Sequence, residues 1–172
     1  MEFRFCPSCG TPLNSKPSND NNTRSCPNCN FTHYDHPKPC AGAVIDRNGD
    51  ILLIRRANEP YKDHWDFPGG FLEPDEHPRD GVKREVFEEL NVKVEVRQLI
   101  GVYMDHYGNQ HDSTLNMYYT CNIIEGSVSP NFEIKEAKWF SLKSIPRKLA
   151  FNHAEAVLKD WKKRVHKVDR QF

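Results

Sequence analysis

The chain has 172 residues, which is enough for one full domain and a small additional module. Lysine plus arginine and aspartate plus glutamate each total 24, so the formal net charge is zero and a protein built mainly to grip nucleic acid or an anionic membrane is disfavoured. With 37% hydrophobic and 11% aromatic residues, the sequence can build a core. No apolar run approaches the length of about 20 residues needed to span a membrane, and the start lacks an apolar signal segment, so we expect a cytoplasmic protein.

Four of the six cysteines form two Cys-x-x-Cys pairs near the start of the chain, and these are Cys6 with Cys9 and Cys26 with Cys29. Disulfides are rare in reducing compartments, where such pairs more often bind metal, although a redox-active pair is the alternative. Four thiolates make a closed tetrahedral zinc site. We therefore predict a zinc ribbon over residues 1–36, held by a structural Zn²⁺, and a second domain over residues 37–172.

For the second domain, the sequence predicts several strands and two helices. The sequence predicts a hairpin whose strands, 41–45 and 51–54, flank an Asn-Gly turn. Valine and leucine at every fourth position predict a helix over 78–90, and a similar apolar spacing predicts a terminal helix over 151–165. Further strands are expected at 92–104, 115–124 and 137–140. This order indicates an α/β fold with a mixed sheet sandwiched between helices.

Three glutamates fall on one face of the internal predicted helix, namely Glu85, Glu88 and Glu89. At about 100° per residue they cover roughly 100° of the helix surface. Like charges at this spacing repel by a few tenths of a kcal/mol per pair, roughly, so the cluster would gain from a bound divalent cation. Carboxylate oxygens favour Mg²⁺ or Mn²⁺ over zinc. A solvated acidic face is the alternative.

The segment around these glutamates resembles the Nudix box, G-x5-E-x7-R-E-U-x-E-E-x-G-U, in which U is a bulky apolar residue. Gly70 opens the motif, Glu76 follows, and the remaining positions run from Arg84 to Val92. Asn91 stands where the second glycine is expected, and asparagine tolerates the left-handed backbone of a helix end. A zinc ribbon in front of such a box is similar to the branch of the family that acts on NADH, FAD and ADP-ribose.

The resemblance implies a Nudix-type α/β/α sandwich and Mg²⁺- or Mn²⁺-dependent hydrolysis of a nucleoside diphosphate linked to another moiety, which releases a nucleoside monophosphate. It implies that Glu85, Glu88 and Glu89 hold the metal together with the carbonyl of Gly70. Arg84 is expected to orient a box carboxylate. The substrate is expected to be a small nucleotide conjugate such as ADP-ribose, FAD or an NADH-like dinucleotide.

Other roles are assigned less directly. Family members use either a box glutamate or a later carboxylate as general base, and we favour Glu136 over Glu133. Glu76 is a candidate metal or positioning residue, or simply favours the helix N-terminus. Tyr103 and Tyr107 are candidates to stack on a purine or flavin, although ordinary packing explains them equally well.

Other functions are compatible with the same Nudix box. They are a diphosphatase that removes damaged nucleoside triphosphates, an RNA cap-removing or RNA-binding protein, and a non-enzymatic binding module. Six basic residues within positions 159–172 favour the RNA alternatives, but cations at a helix C-terminus are also favoured by the helix dipole. We expect no membrane partner and no nucleic acid partner, and a homodimer is compatible with the family.

Overall fold

The computed structural model describes residues 4–13, 23–108 and 112–168. Its contacts divide the chain into two compact units, Met1–Pro37 and Lys38–Phe172. None of the described helices is long and apolar enough to span a membrane.

The first unit contains a short antiparallel pair, β1 (Thr23–Ser25) and β2 (Thr32–Tyr34). Its small core consists of Cys6, Leu13 and Cys26, against which Cys29 and Phe31 pack. A unit of this size buries little apolar surface, so a metal ion held by its cysteines would add stability that the small core does not supply.

The described residues of the second unit form seven strands and two helices. The elements in chain order are β3 (Lys38–Arg47), β4 (Asp50–Arg56), β5 (Trp65–Asp66), β6 (Gly69–Phe71), α1 (Pro78–Leu90), β7 (Val92–His106), β8 (Ser113–Gly126), β9 (Ile134–Ser141) and α2 (His153–Val168). The sheet is ordered β5-β4-β3-β8-β7, with β6 added to β3 and β9 added to β4. Strands β3 and β8 are parallel and the other pairs are antiparallel, so the predicted mixed sheet is confirmed.

The sheet separates two apolar cores. Side chains alternate along β3, so that Ala43 and Ile45 face one core and Val44 faces the other. Val82, Val86 and Leu90 of α1 pack in the first core, and Ala154, Val157, Leu158 and Trp161 of α2 pack in the second. The predicted α/β/α sandwich is therefore the observed architecture.

Local sequence explains both ends of α1. His77 caps its start by accepting a hydrogen bond from the backbone of Arg79, and Pro78 occupies the first turn, where no amide hydrogen is needed. The helix ends at Asn91, whose φ of 54° is left-handed and whose N–H donates to the carbonyl of Phe87. Asn91 thus supplies the backbone conformation that a glycine usually supplies at this position.

The loop into α1 requires glycine at one point in particular. Gly69 has a φ of 146°, and a Cβ placed there would collide with the backbone of Ala41 on the neighbouring strand. The close approach lets β6 pair with β3 and brings the following residue to the glutamate face of α1.

Candidate functional site

The four paired cysteines converge in the first unit. Their sulfur atoms all lie within 4.8 Å of one another, with 3.7 Å between Cys6 and Cys29 and 3.6 Å between Cys9 and Cys26. These separations are too long for disulfide bonds. A tetrahedral zinc site with Zn–S bonds of about 2.3 Å has sulfur–sulfur edges of about 3.8 Å, so the cluster has the dimensions of a tetrahedral thiolate site.

Arg84 of α1 is the centre of a network of carboxylates on the helix and on the loop before it. Its guanidinium donates two hydrogen bonds to Glu76, of 2.8 and 2.9 Å, and one each to Glu85 at 3.0 Å and Glu88 at 3.1 Å. It also donates to the carbonyl of Phe71 at 3.0 Å. The bidentate arrangement uses the planar fork that lysine lacks. Arg84 therefore fixes the positions of three acidic side chains relative to the glycine loop.

The contact with Arg84 lowers the pKa of Glu76 to about 2, and a hydrogen bond from the backbone N–H of Glu73 acts in the same direction. The side chain of Glu76 is thus held ionised and anchored at both oxygens. Glu76 therefore supports both Arg84 and the loop over residues 73–76.

Glu89 is the most buried of the three glutamates, with 8% of its surface exposed. One of its oxygens accepts a hydrogen bond of 3.0 Å from the N–H of Gly69. Burial raises the pKa of Glu89 well above its ordinary value, despite that hydrogen bond. A carboxylate placed here gains from a nearby cation.

Glu85 lies against the glycine loop. A Cβ added at Gly70 would fall 2.5 Å from a carboxylate oxygen of Glu85, so the absence of a side chain at residue 70 makes room for that carboxylate. Burial raises the pKa of Glu85, and the hydrogen bond from Arg84 partly offsets the effect. The structure therefore brings Gly70 and Glu85 together.

Each of the three helix glutamates retains one oxygen without a hydrogen bond among the described residues. Glu85 and Glu88 each use one oxygen for Arg84, and Glu89 uses one for Gly69. The three carboxylates do not converge into a tight group, however, because within the described chain only the four cysteines have their ligand atoms all within 4.8 Å. The remaining oxygens suit a hard divalent cation that keeps several ligands from water or substrate phosphates.

Glu136 lies on β9, where it forms an ion pair of 3.2 Å with Arg55 on β4. Its side chain is 42% exposed. Among the described residues, no hydrogen bond or ion pair links it to the glutamates of α1. The structure thus places Glu136 on the sheet and not in the Arg84 network.

The two candidate tyrosines have different surroundings. Tyr103 packs against the second core, and its hydroxyl donates to Asp160 of α2 at 3.1 Å. Burial and this contact raise the pKa of Tyr103 to about 12. Tyr107 borders a cavity next to Gly70, where its ring meets Phe71 edge-on at 5.1 Å and stacks on Phe151 at 6.0 Å. Of the two candidate tyrosines, Tyr107 lines this cavity and Tyr103 does not.

Sequence reasoning did not identify Asp66 and Arg56, which line the same cavity. Asp66 is 4% exposed, and one of its oxygens accepts from Arg56 at 3.2 Å while the other accepts from the N–H of Phe67 at 2.8 Å. Burial raises the pKa of Asp66 to about 6, against the lowering effect of Arg56. The signal in the sequence is a charged residue within the otherwise apolar and glycine-rich run from Trp65 to Gly70.

The basic C-terminal segment lies partly outside the described residues, which end at 168, and its described side chains end at Arg164. Lys163 pairs with Asp160 at 2.7 Å, and Arg164 donates to the carbonyl of Ile100 at 2.8 Å. These two cations therefore have partners within the second unit.

Comparison with known families agrees with this geometry. Residues 36–161 match the NUDIX domain family, and residues 4–35 match the N-terminal zinc-ribbon family of Nudix proteins. The chain is 34% identical over 128 residues to an ADP-ribose pyrophosphatase of Methanocaldococcus jannaschii, covering 74% of this chain and 75% of that protein.

Two further relatives cover more of the chain. An NAD-capped RNA hydrolase of Deinococcus radiodurans is 31% identical over 84% of this chain, which spans only 51% of that longer protein. The crystal structure of a Nudix hydrolase from Nitrosomonas europaea superimposes with a TM-score of 0.81 at 30% identity, over 96% of this chain and 93% of that chain. The chain therefore belongs to the Nudix hydrolases, enzymes that here combine the family's catalytic fold with its N-terminal zinc ribbon.

Proposed function

We propose that this chain catalyses the hydrolysis of the diphosphate bond in a nucleoside diphosphate linked to another moiety, with ADP-ribose as the first candidate and FAD or an NADH-like dinucleotide as others. The observation that carries the proposal is the Arg84 network, which fixes Glu85 and Glu88 while Glu89 is anchored to Gly69. The similarity to a protein named ADP-ribose pyrophosphatase supports the choice of substrate.

Mg²⁺ or Mn²⁺ would be held by Glu85, Glu88 and Glu89 through their remaining oxygens, with the carbonyl of Gly70 as a further ligand. When bound, such an ion neutralises phosphate charge and lowers the pKa of a coordinated water. The residues of the chain would do the positioning. Arg84 holds two of the carboxylates in place, and its bidentate bond to Glu76 limits its own movement.

The general base would accept a proton from the attacking water. Glu136 is the first candidate, and its partner Arg55 fixes its side chain on β9. Glu85 is the alternative, because it lies against the glycine loop and keeps one carboxylate oxygen without a hydrogen bond among the described residues. Glu136→Gln and Glu85→Gln are compared in single-turnover experiments. The variant that lacks the general base should lose far more of its turnover rate than of its affinity for the substrate.

The proposal is tested with a panel of nucleotides and resolved products. Release of AMP and ribose 5-phosphate from ADP-ribose in the presence of Mg²⁺ is the expected result. Release of diphosphate from nucleoside triphosphates, with ADP-ribose untouched, would identify the sanitising diphosphatase instead. Preferential hydrolysis of NAD-capped RNA over free dinucleotides would favour the RNA-directed function, for which the relative from Deinococcus radiodurans is the specific reason.

The remaining assignments are proposals of the same kind. Residues 1–36 would form the ribbon around one structural Zn²⁺, and residues 37–172 the Nudix hydrolase domain. Tyr107 is the better placed of the two tyrosines for substrate contact, because it lines the cavity beside Gly70. We propose a cytoplasmic enzyme that acts on small nucleotides and has the homodimer as a possible assembly.

A further inference from the structure

A second cavity of the Nudix domain lies where the hairpin between β3 and β4 turns. Its volume is about 650 Å³. Small-molecule sites in proteins commonly have volumes of about 300–1,000 Å³. The lining comes from the hairpin, the end of β8 with the loop after it, and β9, and it includes Arg47, Asn48, Ile123, Ser127, Val128 and Trp139. We call this space the hairpin cavity.

The hairpin cavity is separate from the glycine loop and the glutamates beside it. Ala41 of β3 pairs with Gly70, whereas Arg47 lies six residues further along the same strand. At about 3.3 Å per residue, the backbone of Arg47 is roughly 20 Å from the glycine loop. A ligand in the hairpin cavity would therefore not contact the groups that we assign to diphosphate cleavage.

A positive charge is held at this cavity by an aromatic ring. The guanidinium of Arg47 lies over the ring of Trp139, with its central carbon 4.1 Å from the ring centroid. A guanidinium at this distance gains cation–π attraction, which favours one position of the charge. No hydrogen bond or ion pair joins Arg47 to another residue that the structure describes. Its N–H groups are therefore available to an acceptor in the cavity.

Three further donors belong to residues that line the same space. They are the indole N–H of Trp139, the hydroxyl of Ser127 and the side-chain amide of Asn48. Within the described part of the chain, none of these three side-chain groups forms a hydrogen bond. Together with Arg47 they make the cavity rich in donors that have no protein acceptor.

The carboxylate of Asp46, which also lines the cavity, is directed away from it. Asp46 pairs across the hairpin with Ile51, and Ile51 packs in the second core. Directly opposite residues on paired strands have their side chains on the same face of the sheet. Trp139 packs against the first core, on the other face. The charge on the side of the cavity is thus that of Arg47.

The floor of the hairpin cavity is apolar. Ile123, Val128 and Trp139 all pack against the first core and are only partly buried. A ligand with an apolar or planar body would cover this floor, and an oxyanion on that body would meet the guanidinium. Arginine binds carboxylate and phosphate groups well, because its planar fork matches two oxygens at once.

We propose that the hairpin cavity is a second ligand site, which binds a small organic anion. Arg47, positioned by Trp139, contacts a carboxylate or phosphate group of the ligand, and the apolar floor contacts its body. Binding here does not depend on the proposed hydrolysis of a diphosphate, because none of the residues that line the cavity belongs to the Arg84 network.

Nuclear magnetic resonance of the nitrogen-15-labelled full chain tests the binding directly. Benzoate, phenyl phosphate and the uncharged analogue benzamide are titrated at constant ionic strength. The reporters are the backbone N–H signals of Ser127 and Val128 and the indole signal of Trp139. At least one anion should shift these signals to saturation and bind roughly fivefold or more tightly than benzamide. The anion that binds more tightly identifies carboxylate or phosphate as the preferred group.

Two arginine variants show whether the charge at the cavity is responsible. Arg47→Gln should weaken binding of the anions at least about fivefold, to an affinity close to that for benzamide. Arg147→Gln is the matched control, because it removes the same charge from an exposed position outside the cavity lining, and it should keep the wild-type affinities. Trp139→Phe identifies the indole signal of Trp139 among the three tryptophans. Thermal unfolding establishes that each variant is folded.

Absence of these shifts with both anions would overturn the proposal, and so would equal affinities of wild type and Arg47→Gln. Benzamide binding as tightly as both anions would also overturn it, because the site would then not recognise charge. Shifts confined to Gly70 and Glu85 would place the anion at the glycine loop and reject the hairpin cavity. None of these measurements involves turnover, so a negative result here leaves the proposed function standing.

Discussion

Arg84 shows how one side chain can hold several carboxylates in place at once. Its guanidinium contacts Glu76, Glu85 and Glu88 and is 23% exposed. Charged hydrogen bonds of this type are stronger than neutral ones, and a planar fork positions its acceptors more precisely than an ammonium group. We regard Arg84 as a positioning residue.

Arg84→Lys should therefore lower kcat by about 10- to 100-fold, with little change in KM. Lysine keeps the charge but cannot reach Glu76, Glu85 and Glu88 at once. Steady-state kinetics with ADP-ribose and Mg²⁺ measures the effect. Lys83→Met is the control, since among the described residues Lys83 makes one exposed ion pair, with Asp80, and its loss should leave kcat unchanged. Equal kinetics for both variants would argue against positioning by Arg84.

Glu76 gives a pH-dependent contribution to stability. Its pKa is about 2 in the folded chain and 4.5 in an unfolded one, so the folded state binds fewer protons between these values. The stabilisation is complete above pH 4.5 and is lost as the pH falls toward 2. Urea unfolding should show wild type more stable than Glu76→Gln at pH 7, with the difference shrinking by pH 3. A constant difference across that range would contradict the assignment.

At the level of elements, α1 is the part of the fold that local sequence predicts best. Its predicted and observed bounds coincide, because Pro78 fixes the first turn and Asn91 ends the helix in a left-handed conformation. The Asn-Gly hairpin turn is confirmed as well, with positive φ at Asn48 and Gly49. These features depend on the conformational preferences of single residues.

The strands are longer than the sequence predicts. Strand β3 begins at Lys38, and β8 extends from Ser113 to Gly126. Their extra residues are paired with distant parts of the chain, as Lys38 is with Thr114. Such pairing depends on tertiary contacts, which periodicity within a short window does not report.

Asn91→Ala tests the end of α1. Alanine does not adopt the left-handed backbone readily, so we expect a loss of about 1 kcal/mol in the free energy of unfolding. Asn91→Gly restores the family's usual residue and should stay within a few tenths of a kcal/mol of the wild type, roughly. Denaturant unfolding compares the two. Equal losses in both variants would mean that the side chain of Asn91, and not its backbone, stabilises the helix end.

For the whole molecule, the sequence predicted the family, the sandwich and the cysteine cluster, because each is encoded in motif spacing or hydrophobic pattern. The cavity beside Gly70 was not predicted. Asp105, Tyr118 and His153 lie on three elements that are far apart in sequence, and only the folded sheet brings them into one hydrogen-bonded chain. A single histidine in a sequence does not indicate which residues will be its hydrogen-bond partners in the folded chain.

The ribbon cluster leads to a prediction about metal content. The freshly purified chain should carry about one zinc ion, because four thiolates at these separations form a closed tetrahedral site. Cys26→Ala should lose most of it, whereas Cys40→Ala, outside the cluster, should retain it. Elemental analysis of the purified variants gives the result. A metal-free wild-type chain would contradict the prediction.

The central claim is that the glutamates of α1 supply the metal ligands for cleavage of a diphosphate. Its most direct test is the kcat for ADP-ribose of the Glu88→Gln, Glu89→Gln double variant, measured across a titration of Mg²⁺. We predict a fall of at least about 100-fold at every Mg²⁺ concentration, because neutral amides replace two hard anionic ligands. Turnover at the wild-type rate, with the wild-type dependence on Mg²⁺, would contradict the account.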